Sequence, residues 1–289
     1  MLNGITIMIV STIPDMFAEH YYFVKHVFPQ LKDICMEYDV SLDYVDLFFS
    51  MSEDELNNGR TLRKYLQSMD FDRTFFVCFR GQKLGRSPTY KNIDKKTLDE
   101  YPELVDYIGD ISFTELIIMH ALQPFEKNNN GKHKNLPPVK HALFYFRDNK
   151  FLDNLDSSQK EFYTSNGISE DPFVHDLKLA MAKDLIFNEK EESENKENGS
   201  HINIRKYEGI WDDDLSLREV LDNYTHEYAS LNNFSHDFLS KMSSRIDFGD
   251  LKGSFSDFKC EGKDLKEVMA EDFFDELKLE FPELFESVI

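Results

Sequence analysis

The chain has 289 residues, 41% hydrophobic and 14% aromatic, which is enough to bury a large core. No apolar run reaches the roughly 18 residues of a membrane helix, and a net charge of -21 sets nucleic-acid binding aside because such a surface repels phosphate backbones. The acidity is uneven: residues 1–150 hold 18 Lys+Arg against 21 Asp+Glu, or -3, and residues 151–289 hold the remaining 15 against 33, or -18.

In chain order, Ile5, Ile7, Ile9 and Val10 form an apolar, β-branched run too short for a helix, and Ser11, Thr12, Pro14 and Asp15 follow with turn and cap chemistry. Phe17, Tyr21, Val24, Val27, Phe28, Leu31, Ile34, Cys35 and Tyr38 then recur at helical spacing, with a kink or break expected near residues 25–28 because of Pro29. This is a strand, a turn and a helix, the first half of a βαβ crossover. The stretch 41–49 alternates polar and apolar residues, as a strand with one wetter face does. Ser52 and Glu55 match a capping box and open a helix to about Met69. Residues 73–79 are almost wholly apolar, the pattern of a central parallel strand.

Residues 80–96 form a basic loop with Gly81 and Gly85, and 97–107 a short helix. Ser112 and Glu115 match a second capping box, opening a helix that Pro124 stops. Residues 139–146 return as a fourth strand, Pro172 begins a helix to about Phe187, and 202–207 read as a fifth strand before a helical region from Ser216 to Ile246. The polar stretch 188–200 is expected to be disordered. Five strands alternating with helices predict a three-layer, doubly wound, mainly parallel α/β sheet of flavodoxin-like order over residues 1–249. Residues 250–289 stand outside it as an acidic, amphipathic helical extension.

Five blocks carry a resemblance. Val10-Ser-Thr-Ile-Pro-Asp-Met16, the segment Ala18 to Leu31 with its Ala-Glu-His opening, Asp43-Tyr-Val-Asp-Leu47 with Ser52-Glu-Asp-Glu55, Ser112-Phe-Thr-Glu115, and His141-Ala-Leu-Phe-Tyr-Phe-Arg-Asp148 occur in order with compatible spacing. Over roughly residues 4–246 the chain resembles the domain that precedes NACHT-type ATPases and repeat arrays in telomerase-associated, nephrocystin and NACHT/WD-repeat proteins. That resemblance implies a distant likeness to TIR domains, which act as signalling adaptors or, in some members, cleave NAD. The chain departs from the family's pattern at His20, where the family has Arg, at Phe48-Phe49-Ser50, which stands for an Arg-aromatic-Gly stretch, and in Gly81-Gln-Lys-Leu-Gly85, which lacks an Arg-Tyr pair.

An open α/β sheet binds ligands beyond the carboxyl ends of its strands, near the switch in strand order. Ser11, Thr12, Asp15, Arg80, Gly81, Gly85 and Arg86 are the candidate crevice residues. Glu115 is the candidate catalytic carboxylate for TIR-like NAD or nucleotide processing, since an oxocarbenium-like ribose needs one nearby; its structural alternative is the cap itself. The Gly81–Gly85 spacing does not fit a phosphate-binding P-loop, no histidine spacing suits a metal, and no cofactor is expected. Cys35, Cys78 and Cys260 read as reduced core thiols, and a cytoplasmic, alternatively nuclear, location is expected in the absence of a leader pattern.

The C-terminal extension repeats Leu265, Val268, Met269, Phe273, Phe274, Leu277 and Phe281 among carboxylates. Such a segment either packs on its own domain or docks in another protein's groove, and these residues are the expected contact for a protein partner. The overall expectation is a non-catalytic protein-interaction or scaffold subunit of an intracellular complex. NAD or nucleotide processing at Glu115 is the alternative.

Overall fold

The amino-terminal apolar run becomes β1 (Asn3–Ser11), buried on both faces: Ile5, Ile7 and Ile9 enter one core layer, Met8 and Val10 the other. The computed structural model describes residues 3–12, 15–46, 60–85, 87–125, 137–164, 172–193, 200–232 and 252–285. After β1 come α1 (Phe17–Tyr22), a π-helical turn (Phe23–Val27) and α2 (Phe28–Glu37). Pro29 has no amide to close the preceding turn and its ring crowds that turn, so the helix widens by one residue just ahead of it.

The chain continues through β2 (Val40–Asp46), α3 (Thr61–Ser68), β3 (Thr74–Arg80), α4 (Lys95–Glu100), a 3-10 turn (Pro102–Tyr107) and α5 (Phe113–Leu122). The start expected for α3 at Ser52 lies outside the described residues. Then follow β4 (His141–Arg147), α6 (Ser157–Thr164), α7 (Pro172–Ser193), β5 (His201–Asp212) and α8 (Leu217–Asn232). β6 (Ser254–Cys260), β7 (Lys263–Asp264) and α9 (Leu265–Glu280) follow, and 3-10 turns at Lys150–Asn154 and Pro282–Leu284 complete the described elements.

One sheet holds the strands in the order β2-β1-β3-β4-β5-β6-β7. β1 to β5 are mutually parallel, whereas β6 runs antiparallel to β5 and β7 to β6. β2 is the edge, and its exposed Ser41 and Asp43 are the wetter face read from its alternation. β3 and β4 are central and buried at every position. Helices cover both faces: α1, α2, α8 and α9 pack on one, α3, α5 and α7 on the other.

Three expectations are corrected. The sheet has seven strands rather than about five, because β5 extends to Asp212 and its last residues pair with β6, whose Phe255, Phe258 and Cys260 face the core. α7 runs on to Ser193, into the stretch expected to be disordered; Glu189 is buried there and accepts a hydrogen bond from Gln123. The helix of the C-terminal extension is part of the sheet's cover rather than an exposed docking helix. Leu265, Val268, Met269, Phe273 and Leu277 on α9 are all buried in the main core, Phe273 against Phe75 of β3. Only Phe274 and Phe281 of the proposed docking set are partly exposed, and Phe274 packs beside Tyr38 and Phe285. A helix with both acidic and apolar faces satisfies its apolar face in cis when a bare sheet face lies within reach.

Candidate functional site

The carboxyl ends of the parallel strands gather buried polar groups on both sides of the sheet. On the α1 side, Arg147 at the end of β4 is fully buried, with Nη1 donating to Glu19 Oε1 at 2.6 Å and to the Asp15 carbonyl at 3.2 Å. Tyr207 donates to the same Glu19 oxygen at 3.0 Å. The guanidinium lies 4.7–5.1 Å from the centroids of Phe151, Tyr163 and Phe255, so both its charge and its faces are engaged. Burial by itself would weaken the Arg147 cation, but Glu19, Tyr207, Asp15 and Tyr163 together outweigh it and raise the pKa. Burial pushes the Asp15 carboxyl up to about 6, against the pull of Arg147. This network ties the start of α1 to β4 and β5. Gly81 belongs to the same packing, since a Cβ there would meet Met16 Cε at 2.2 Å and Arg147 Nη2 at 2.9 Å.

Beside it lies a second cluster, and the residues on it come from four elements. His20 of α1 is buried, with Nδ1 2.6 Å from Asp46 Oδ2 at the end of β2 and Nε2 2.5 Å from Ser11 Oγ at the end of β1. The Asp46 carboxylate accepts from Nδ1–H, which leaves Nε2 to accept the Ser11 hydroxyl proton. Tyr224 of α8 donates a second hydrogen bond to Asp46 Oδ2, and its ring meets the His20 ring edge-on. Among the described residues, the Ser11 hydroxyl has one other contact within hydrogen-bond range, the Thr12 carbonyl at 3.4 Å. A small cleft opens beside this row, lined by Ser11, His20 and Asp46 together with Tyr65, Phe113, Thr114 and Ile117. Burial, and then the Asp46 charge, raises the Tyr65 phenol well above its usual range.

On the α5 side, Arg80 at the end of β3 is buried, and none of its three guanidinium nitrogens has a hydrogen-bond partner among the described residues. Glu115 Oε1 lies 3.9 Å from its Nη2. Glu115 Oε2 accepts from the Ser112 amide at 2.9 Å while Ser112 Oγ accepts from the Glu115 amide at 3.2 Å, so both halves of the capping box are formed. Burial, and then Arg80 and Lys206, lowers the Lys183 pKa.

The crevice residues named from sequence thus divide. Ser11 faces the cleft, Asp15 and Gly81 belong to the Arg147 network, and Arg80 stands on the far face with Glu115. Thr12 is buried next to Gly85, whose φ of +89° suits glycine. Arg86 lies outside the described residues. Sequence reasoning passed over His20, Asp46, Glu19, Arg147, Tyr207 and Tyr224 as functional groups. The only signals were that His20, Asp46, Glu19 and Arg147 all fall inside the five blocks and that His20 replaces a cation. Among the described residues no cluster of three or more His, Cys, Asp or Glu could hold a metal, and no helix is long and apolar enough to cross a membrane.

No family model matches the chain. It is 26% identical over 189 residues to a TPR repeat-containing protein of Dictyostelium discoideum, covering 62% of this chain and 11% of that protein. It is 27% identical over 176 residues to telomerase protein component 1 of Mus musculus, and equally to that of Rattus norvegicus, covering 61% of this chain and 6% of each. The chain therefore spans a small part of the length of these relatives. A GDP-L-fucose synthetase from Naegleria fowleri aligns over 93% of this chain and 82% of its own at 14% identity, with a TM-score of 0.31. At that score the likeness guides neither fold nor function.

Proposed function

We propose that the chain works mainly as a protein-interaction subunit of a larger assembly, related to the domain that precedes NACHT ATPases. One observation carries the reading: the matched relatives, one of them named as a component of telomerase, hold the similar segment as 6–11% of their length, so this kind of domain is one part among many. The order β2-β1-β3-β4-β5 of the parallel strands supports the flavodoxin-like and TIR-like part of the reading. NAD processing at Glu115 is the weaker reading, because one carboxylate oxygen serves the cap and the other faces Arg80.

The partner surface we infer is the outward side of α9, where Glu267, Glu271 and Asp275 are exposed while the apolar side is buried. A basic protein surface fits it, and binding should weaken as salt rises. The test is affinity capture of the tagged chain from its own cells, followed by native mass of the eluted complex. A stoichiometric partner retained by wild type and lost from the folded triple variant Glu267→Lys/Glu271→Lys/Asp275→Lys supports the surface. A complex unchanged by the charge reversal refutes it, and a chain that elutes alone refutes the subunit reading.

A further inference from the structure

We propose that Ser11, His20 and Asp46 form a nucleophilic relay, with Ser11 taking an acyl group from a small, uncharged ester in the adjoining cleft. The inference goes beyond the subunit reading and does not depend on it. Its basis is atomic order. Asp46 Oδ2 meets His20 Nδ1 at 2.6 Å and His20 Nε2 meets Ser11 Oγ at 2.5 Å, so the imidazole presents its basic nitrogen to the hydroxyl and its N–H to the carboxylate. That is the arrangement needed to withdraw a serine proton as the oxygen attacks carbon. Tyr224 adds a second hydrogen bond to Asp46 and so fixes the carboxylate that orients the ring.

Exposure separates the roles. His20 and Asp46 are each 1% exposed, whereas Ser11 is partly open, so the cleft offers an incoming molecule the hydroxyl ahead of the groups behind it. A purely structural network would need the hydroxyl satisfied but would have no need of a cavity alongside it. Ile9, Val10, Phe113 and Ile117 make the lining mostly apolar, which suits a short acyl chain and disfavours a charged one. Phe113 and Thr114 open α5 across the cleft. The capping box occupies the amides of Ser112 and Glu115, and the amides of Phe113 and Thr114 are the remaining first-turn donors for an oxyanion.

In the reaction Ser11 Oγ bonds to the ester carbonyl carbon as its proton passes to His20 Nε2. The tetrahedral adduct then collapses, the bond to the alcohol oxygen breaks, and the departing alkoxide takes the proton from His20. Water next attacks the acyl-serine carbon, giving its proton to His20. Cleavage of the bond to Ser11 Oγ returns that proton to serine and releases the carboxylic acid.

A fluorophosphonate probe, which loses fluoride as a serine oxygen bonds to phosphorus, tests the nucleophile on the whole chain. Peptide mapping should place one adduct on Ser11 of wild type and none on that peptide in Ser11→Ala. Hydrolysis of p-nitrophenyl acetate should be faster for wild type than for Ser11→Ala. Asp46→Asn should slow labelling on the order of 100-fold or more, as expected when the ring loses its orienting carboxylate. His20→Gln should abolish labelling, with fold checked by melting temperature and Trp211 fluorescence. A folded wild-type chain left unlabelled at Ser11, or one that hydrolyses the ester no faster than Ser11→Ala, overturns the proposal. So does labelling that persists undiminished in folded His20→Gln.

Discussion

Phe273→Ala measures whether the C-terminal helix belongs to the core. Phe273 is 1% exposed, it packs against Phe75 of a central strand, and its α9 neighbours Leu265, Met269 and Leu277 are also buried. Removing a fully buried phenyl ring costs about 3–5 kcal/mol, combining lost transfer energy with the cavity left behind. Complete removal of residues 264–289 takes away the buried side chains of Leu265, Val268, Met269, Phe273 and Leu277 at roughly 1.5–3 kcal/mol each, a loss that rivals the ~5–15 kcal/mol net stability of a whole domain. It also strips Tyr145 of its bond to Asp272 and His141 of its bonds to Glu276 and Glu280. The truncated chain should therefore fail to fold. Urea unfolding followed by fluorescence of Trp211, the single tryptophan, reads the effect at a distance from the mutation, because that ring packs on Phe151 and Phe255. A midpoint for Phe273→Ala within error of wild type, or a truncated chain with an unchanged transition, would refute the reasoning and restore α9 as a free docking element.

Other tests follow from the buried charges. Arg147→Met and Glu19→Gln should each cost about 3–5 kcal/mol, and the double variant less than the two together, since each single change strands the other group; additive denaturation energies would show that the pair is not coupled. Glu115→Gln keeps the cap but removes the charge beside Arg80, so it should cost roughly 1–3 kcal/mol, more than a silent exchange; an unchanged melting temperature would refute the role of that charge. At the opposite end of the strands, burial would lower His141, yet Glu276 and Glu280 raise it above its ordinary 6.5. The hydrogen bond to Glu276 likewise raises His201 above 6.5. Burial pulls Glu276 up, but the two histidines hold it below 4.5. The histidine contribution is full below pH 6.5 and lost as pH climbs through the raised folded values; the glutamate contribution is full above 4.5 and lost as pH falls. Melting temperature should thus fall more steeply above pH 6.5 in wild type than in Glu276→Gln, and parallel curves would exclude a stabilising role for the Glu276–histidine pairs.

Local pattern was enough for the strands and helices of the parallel half. A run such as residues 74–80 is apolar at every position only when both faces are covered, and the alternation in residues 40–46 records an edge with one wet face. The Ser112–Glu115 cap and the disturbance before Pro29 were legible for the same reason, since each is settled within one or two turns of chain. What lay beyond reach depended on distant partners. β6 becomes a strand through pairing with β5, and α9 becomes core because a bare sheet face accepts its apolar side. Glu189 holds an extra turn of α7 through Gln123, 66 residues away. The site followed the same division. Ser11 could be placed at a strand's carboxyl end from sequence, but His20 and Asp46 stand 9 and 26 residues apart from their respective partners, and only the close packing of β1, α1 and β2 turns three ordinary side chains into one hydrogen-bonded row. Propensity and periodicity report the neighbours a residue has along the chain; the chemistry here arises from neighbours supplied by the sheet.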